Sequence, residues 1–520
     1  MRGILATSTV TACAAALTLP GLAASGHAVP GRAVPVAPAA VAGTGELPGS
    51  TQSLPLVALP AGGGRTAAVP VVQGVAPQRV KPFSLVGIVW DNAATELRGR
   101  AQVRTRAAGS RTWSAWQDVQ VQDHDRPDLD SPEARSGRKG ATAPLWVGAS
   151  DAVEARVVPE GATRGIARSA ALPRGMRLEL VDPGGGPARK GGRRSAPGPD
   201  DPDGQARDSS AANAPLAPMG ATEIPAGDQP PSADEAAAMI AVDDDDPEHA
   251  PSEAGPSAQE PSPETGQPEE GAPEQSQPQE RPGPLRPADE DDSATAATGG
   301  DLGDPDDLGD DSDDSDYSGY AASRPRIVTR AGWGADESIR EQGFVYSKSV
   351  KAAFVHHTAS GNSYTCAQAP SVIRGIYRYH VVSSGWRDIG YNFLVDKCGT
   401  VYEGRAGGVA KPVRGAHTLG FNTNSMGIAV LGTYSKTKPS SAAVNAVARL
   451  TAWKLGLYGG NPKGRATLTS AGGNRYKKGK KVKLKAISGH RDGYNTECPG
   501  DRLYEKLGSI RSTAARLQGR

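Results

Sequence analysis

Along the first half of the chain, apolar positions recur with a period of two. Phe83-Ser-Leu-Val-Gly-Ile-Val-Trp90 reads as a buried strand. Leu97, Gly99, Ala101, Val103 and Thr105 then alternate with Arg98, Arg100, Gln102, Arg104 and Arg106, the pattern of a strand with one basic face. Trp113 to Val121, Leu145 to Val147, Ala152 to Val158 and Met176 to Val181 add strands between turn-rich breaks. No amphipathic helix of useful length interrupts them. Residues 80–182 are therefore expected to form an all-β, sandwich-like domain.

The pattern changes in the last two hundred residues. Ala352 to His356 is a short apolar run that reads as a strand, and Val372, Ile373, Ile376 and Tyr379 fall at helical spacing within Ser371 to His380. Tyr391 to Val395 and Gly427 to Leu431 are further apolar strands. Val444 to Leu457 is an amphipathic helix, with Ser440 or Ser441 as its cap. Lys481-Val-Lys-Leu-Lys485 alternates like an exposed strand, and Leu503 to Leu517 makes a final helix. Strands interleaved with helices imply an α/β or α+β domain around one central sheet, over residues 324–520.

Two other stretches carry no such periodicity. Residues 29–80 are rich in Pro, Ala, Val and Gly and read as an extended leader. Residues 183–323 read as a disordered linker, because Pro, Gly and acidic residues cannot bury enough apolar surface to offset ordering entropy. The acidity is concentrated in residues 241–320, which hold 25 Asp and Glu against two Arg. Asp301 to Asp316 is acidic enough to attract Ca²⁺ but lacks a fixed loop geometry.

Composition agrees with a chain that is only partly core. Hydrophobic residues make up 37% of its 520 positions and aromatics 5%, while Gly and Pro number 65 and 43, so one large globule is excluded. The formal net charge of +1 argues against a nucleic-acid binder. That average conceals a division: residues 321–520 hold 32 Lys and Arg against ten Asp and Glu. At the start, Met1-Arg2 and a short Ala-rich apolar run ending near Ala28 have the parts of a secretory signal peptide, residues 1–28. No later run is long enough to span a membrane, so the expected location is secreted or at the cell wall.

Export leaves Cys366, Cys398 and Cys498, an odd number that implies one pair and one special thiol. A thiol that binds metal is protected from random pairing. Three pieces of the second half carry chemistry: Phe354-Val-His-His-Thr358, Trp386-Arg-Asp-Ile-Gly-Tyr-Asn-Phe393 and Ser488-Gly-His-Arg-Asp-Gly-Tyr-Asn-Thr-Glu-Cys-Pro-Gly500. Imidazole and thiolate are preferred Zn²⁺ ligands, and His490 and Cys498 lie in one loop able to curl both towards an ion. The β-domain, by contrast, offers no constellation. Its one His, His124, sits in the acidic loop His124-Asp-Arg-Pro-Asp-Leu-Asp, and its Trp113, Trp116 and basic face suit at most a wall-binding module.

The H-x7-C-P-G spacing of the third piece resembles the zinc motif of the type 2 N-acetylmuramoyl-L-alanine amidases, the family that includes the peptidoglycan recognition proteins. The resemblance extends through His-His-Thr, Asp388-Ile-Gly-Tyr-Asn-Phe393, Val401-Tyr-Glu-Gly-Arg405, Gly415-Ala-His417 and Asn424-Ser-Met-Gly-Ile428, in the family's order, over about residues 325–515. It implies a central mixed β-sheet flanked by helices, with a groove over Zn²⁺ held by His356, His490 and Cys498. It implies Tyr391 and Thr496 as catalytic residues, Thr496 standing where phage enzymes carry Lys and recognition proteins carry Thr. His357, Arg405 and His417 are candidates for the groove. With Cys498 a ligand, Cys366 and Cys398 are the expected disulfide, two unpaired buried thiols being the alternative.

The function this implies is zinc-activated hydrolysis of the amide between N-acetylmuramic acid and L-alanine in peptidoglycan. A non-catalytic peptidoglycan receptor on the same fold is the alternative. The basic C-terminal domain would also favour anionic wall polymers, and the acidic linker would either compete for that surface or serve as a spacer.

Overall fold

In the computed structural model, the described residues are 49–59, 71–121, 125–135, 139–161, 170–185, 202–242 and 320–520. The expected signal peptide, His124 and nearly all of the acidic run lie outside them. The described residues pack as one compact unit.

The N-terminal domain is built on an eight-stranded antiparallel sheet. Its main strands are β1 (Ser50–Pro55), β2 (Gln73–Trp90), β3 (Gly99–Ala107), β4 (Gln117–Val119), β5 (Leu145–Pro159) and β6 (Arg177–Asp182), in the order β1-β6-β2-β5-β3-β4. The strands join in one hydrogen-bonded path. Register breaks between Val75 and Leu85 bend β2, because an extra residue in one strand increases local twist. Phe83, Val86, Ile88, Trp90, Val103, Val153, Val157 and Leu178 are buried around it. The domain starts earlier than expected: β1, within the expected leader, pairs with β6 along its whole length, with Leu54 half-buried against the core and Leu56, just after it, buried. Trp113 and Trp116 share one partner, the Arg104 guanidinium, 5.4 and 5.1 Å from the two ring centroids.

The C-terminal domain holds a seven-stranded mixed sheet. In chain order its strands are β7 (Glu223–Ile224), β8 (Ile327–Val328), β9 (Ala352–His357), β10 (Phe393–Val395), β11 (Val401–Glu403) and β12 (Ser425–Val430). After the hairpin of β13 (Arg465–Thr469) and β14 (Lys481–Lys485), β15 (Ile487–Gly489) completes it. The sheet order is β15-β9-β12-β10-β11-β8-β7. Strands β15, β9, β12 and β10 run parallel. Buried on both faces, they are continuously apolar, as parallel strands must be. The linker reading needs correction over residues 202–242, which hold helices α1 (Pro202–Ala211) and α2 (Ala233–Ile240). Strand β7 pairs antiparallel with β8, and Asn213 donates to Glu403 at 2.8 Å. Averaged composition hid local order: Ser232 and Glu235 form a capping box, and Ile224 and Ala236 enter the core.

Helix α3 (Ala369–Arg378) runs on into a wider turn, Tyr379–Ser383, and α4 (Ser441–Gly456) is capped by the Ser440 hydroxyl. Helix α5 (Leu507–Leu517) packs beside α4 in the same core. Val372, Ile373 and Ile376 of α3 join Leu85, Val89, Trp146 and Val181 of the β-domain in one apolar cluster. Each such side chain removed from water contributes about 1.5–3 kcal/mol, so the two domains share a core rather than touch. The Tyr379 hydroxyl crosses the boundary to the Ile88 and Thr142 carbonyls at 3.3 and 3.1 Å. Cys366 and Cys398 form a disulfide, tying the turn before α3 to the turn after β10. Among the described residues no helix is long and apolar enough to cross a membrane.

Candidate metal centre

Ligand sites in such sheets lie beyond the carboxyl ends of parallel strands. Here β9 and β15 are parallel neighbours with Val355 opposite Gly489, so His356 and His490 leave adjacent strands side by side. Their ring centroids are 4.5 Å apart. Strand alternation turns His357 away, and its Nδ1 accepts the Tyr434 N–H at 3.2 Å. Burial lowers the His357 pKa to about 4, which keeps that ring neutral. The loop after His490 returns Cys498 to the cluster, its Sγ 3.7 Å from His356 Nδ1. Thr496 Oγ1 accepts the Cys498 N–H at 3.1 Å.

A fourth donor comes from the β-domain. The Asp125 Oδ1 atom lies 2.7 Å from His490 Nδ1 and 3.3 Å from His356 Nδ1. One donor atom from each of Asp125, His356, His490 and Cys498 falls within 4.8 Å of every other, and all four residues are buried. The Tyr391 hydroxyl donates to Asp125 Oδ2 at 2.8 Å. The loop that holds Asp125 was credited with no chemistry from sequence, and this must be corrected. Its only available signal was a run of carboxylates, which joins the other candidate ligands only when the fold brings it across domains.

The donor set fits Zn²⁺. Two imidazoles, a thiolate and a carboxylate are its ordinary ligands, and bonds of about 2.0–2.3 Å require donors roughly 3.3–3.8 Å apart. That is the spacing of His356 from Cys498 and from Asp125, while the 2.7 Å between His490 and Asp125 is a hydrogen bond that would open by less than about 1 Å around an ion. Electrostatics points the same way. Burial and the Asp125 carboxylate push the Cys498 thiol well up, so a thiolate there needs a cation beside it. Burial would raise Asp125, but the imidazoles of His490 and His356 outweigh it and hold the carboxyl well below its usual range. Burial and Asp125 together raise Tyr391, which stays a protonated donor.

His417 supports the cluster. Its Nδ1 lies 3.3 Å from His356 Nε2 and 3.0 Å from Thr418 Oγ1, and burial holds the ring well below its ordinary pKa. Position 427 must be glycine for this: a Cβ there would sit 2.3 Å from His417 Cγ. His380 Nδ1 accepts the Gly390 N–H at 3.2 Å, a structural task. Arg405 is buried and binds both Glu133 oxygens, at 2.9 and 3.1 Å. Glu403 faces Asn213 and the Arg330 N–H, and burial raises it to about 7. A cavity of about 670 Å³ adjoins Thr496, but none of the four donors lines it.

Residues 346–501 match the family described as N-acetylmuramoyl-L-alanine amidase, and residues 38–177 the one described as Rv3811 N-terminal galactose-binding domain-like. Peptidoglycan-recognition protein SC2 of Drosophila simulans is 30% identical over 181 residues, which is 35% of this chain and 84% of that protein. The protein named N-acetylmuramoyl-L-alanine amidase from Homo sapiens is 32% identical over 185 residues, 35% of this chain and 28% of that one. The solved structure of wild-type Drosophila PGRP-LB aligns at 25% identity over 35% of this chain and 92% of that chain, with a TM-score of 0.28.

Proposed function

The chain belongs to the family of N-acetylmuramoyl-L-alanine amidases and peptidoglycan-recognition proteins, and from that premise we propose that it is an exported, zinc-dependent amidase of peptidoglycan. The bond cleaved is the amide between the lactyl group of N-acetylmuramic acid and L-alanine of the stem peptide. The observation that carries this reading is the convergence of His356, His490 and Cys498 beside the Tyr391 hydroxyl. These residues would hold Zn²⁺, which would supply an activated water near neutral pH and polarisation of the scissile carbonyl.

The chain's own residues do the rest. His356 Nε2 is held by His417 and Thr418, which fixes the ring's orientation, and the Thr496 hydroxyl holds the Cys498 amide. Thr496 thus acts through the cysteine rather than on substrate. Tyr391, kept protonated by its surroundings, donates a hydrogen bond to the oxyanion that forms at the scissile carbonyl. One such donor contributes roughly 3 kcal/mol. His357 takes no part at the reacting atoms, and Arg405 offers a forked receptor for carboxylate.

Metal analysis and mass spectrometry of digested peptidoglycan test this. The purified chain is expected to hold one zinc and to release stem peptides with a free L-alanine amine, both lost in Cys498→Ala and the second lost on chelation. Equal release by Cys498→Ala would sink the proposal. Binding of peptidoglycan without release, by wild type and Asp125→Ala alike, would support the receptor reading.

A further inference from the structure

The segment that brings Asp125 into the metal centre is fastened to the C-terminal domain along its length. Asp128 Oδ1 accepts the Gly420 N–H at 2.6 Å and the Asn422 side-chain amide at 2.9 Å. Asn422 also donates to the Arg126 carbonyl at 3.1 Å. Glu133 binds Arg405 through both oxygens and accepts the Arg387 N–H at 3.2 Å. Asp130 meets Lys478 at 2.6 Å, an exposed contact of little weight. Asp125, Asp128 and Glu133 are each less than 10% exposed.

A catalytic zinc site keeps one position open, whereas four protein ligands close it. Resting on the zinc-amidase reading, we propose that the segment Asp125–Glu133 is a built-in plug, in which the Asp125 carboxylate is a fourth ligand at the metal position and the folded chain is a latent enzyme. The same carboxylate engages Tyr391, so one side chain takes both the open coordination position and the oxyanion donor. Glu133 takes the carboxylate receptor, Arg405. The plug is polar and ionic, unlike the apolar contact of Leu85, Val89, Trp146 and Val181 with α3. It can therefore leave the groove while the strands remain docked.

Cobalt-substituted full-length chain, titrated with azide and followed by visible absorption, tests the proposal without relying on turnover. Wild type and Asp125→Ala should each bind one cobalt. Azide should enter the Asp125→Ala site at a concentration about ten-fold or more below that for wild type, because competition scales apparent affinity by the open fraction. Glu133→Gln leaves all four donors in place and guards against misfolding of the first variant; it should shift azide affinity the same way. Equal azide affinity in wild type and both cobalt-bound variants would overturn the plug and leave the zinc reading standing. Failure of wild type to bind cobalt, or an unaltered cobalt spectrum in Cys498→Ala, would overturn the zinc reading and the plug with it.

Discussion

His356 and His357 are chemically identical neighbours, and one step of strand alternation assigns one to the metal cluster and the other to a backbone amide of Tyr434. That much was legible, as was the grouping of His356 with His490 and Cys498, because local spacing and strand parity carry it. Asp125 was not legible, since the other candidate ligands lie far from it in the chain and in another domain. Arg405 was expected in the groove, and its pairing with Glu133, a residue of the other domain, was not legible. Asp128 permits a sharper prediction. Burial raises its pKa to about 6, against the opposing pull of Gly420, Asn422 and Arg414. A raised carboxyl contributes stability below its unfolded value of 3.8, and that contribution is lost as pH rises through about 6. Asp128→Asn keeps an acceptor oxygen without the charge. Its unfolding free energy should match wild type near pH 4 and exceed it at pH 8, by an amount on the order of 3 kcal/mol. A gap independent of pH would contradict this.

Strand and helix positions were read well where one face is apolar, as in α3, α4 and β14, since periodicity reports burial directly. Strand β1 and the pair α1 and α2 escaped because short elements in Pro- and Ala-rich surroundings gain order from pairing, not from their own pattern. The joining of Cys366 to Cys398 closes a loop with a sequence separation of 32. A loop of that size is worth roughly 3–4 kcal/mol through the entropy of the unfolded chain. The double variant Cys366→Ser with Cys398→Ser should lose that much in denaturant unfolding, with the metal content unchanged. A stability equal to wild type would show that the unfolded chain gains no freedom there.

For the whole molecule, the near-zero net charge was a sum over unlike segments, and electrostatic complementarity operates at short range in the plug rather than in the average. The shared cluster of Leu85, Val89, Trp146 and Val181 with α3 also makes the two domains thermodynamically one. Calorimetry of the full chain should show one transition, and Leu85→Ala should lower it for both domains; two separated transitions would show the interface to be weak. The most direct test of the account is mass spectrometry of peptidoglycan digested in parallel by full-length wild type, Asp125→Ala and Asp125→Ala with Cys498→Ala. Stem peptides with a free L-alanine amine should be released about ten-fold or more faster by Asp125→Ala than by wild type, and not at all by the double variant. Equal release by wild type and Asp125→Ala, or release by the double variant, would contradict it.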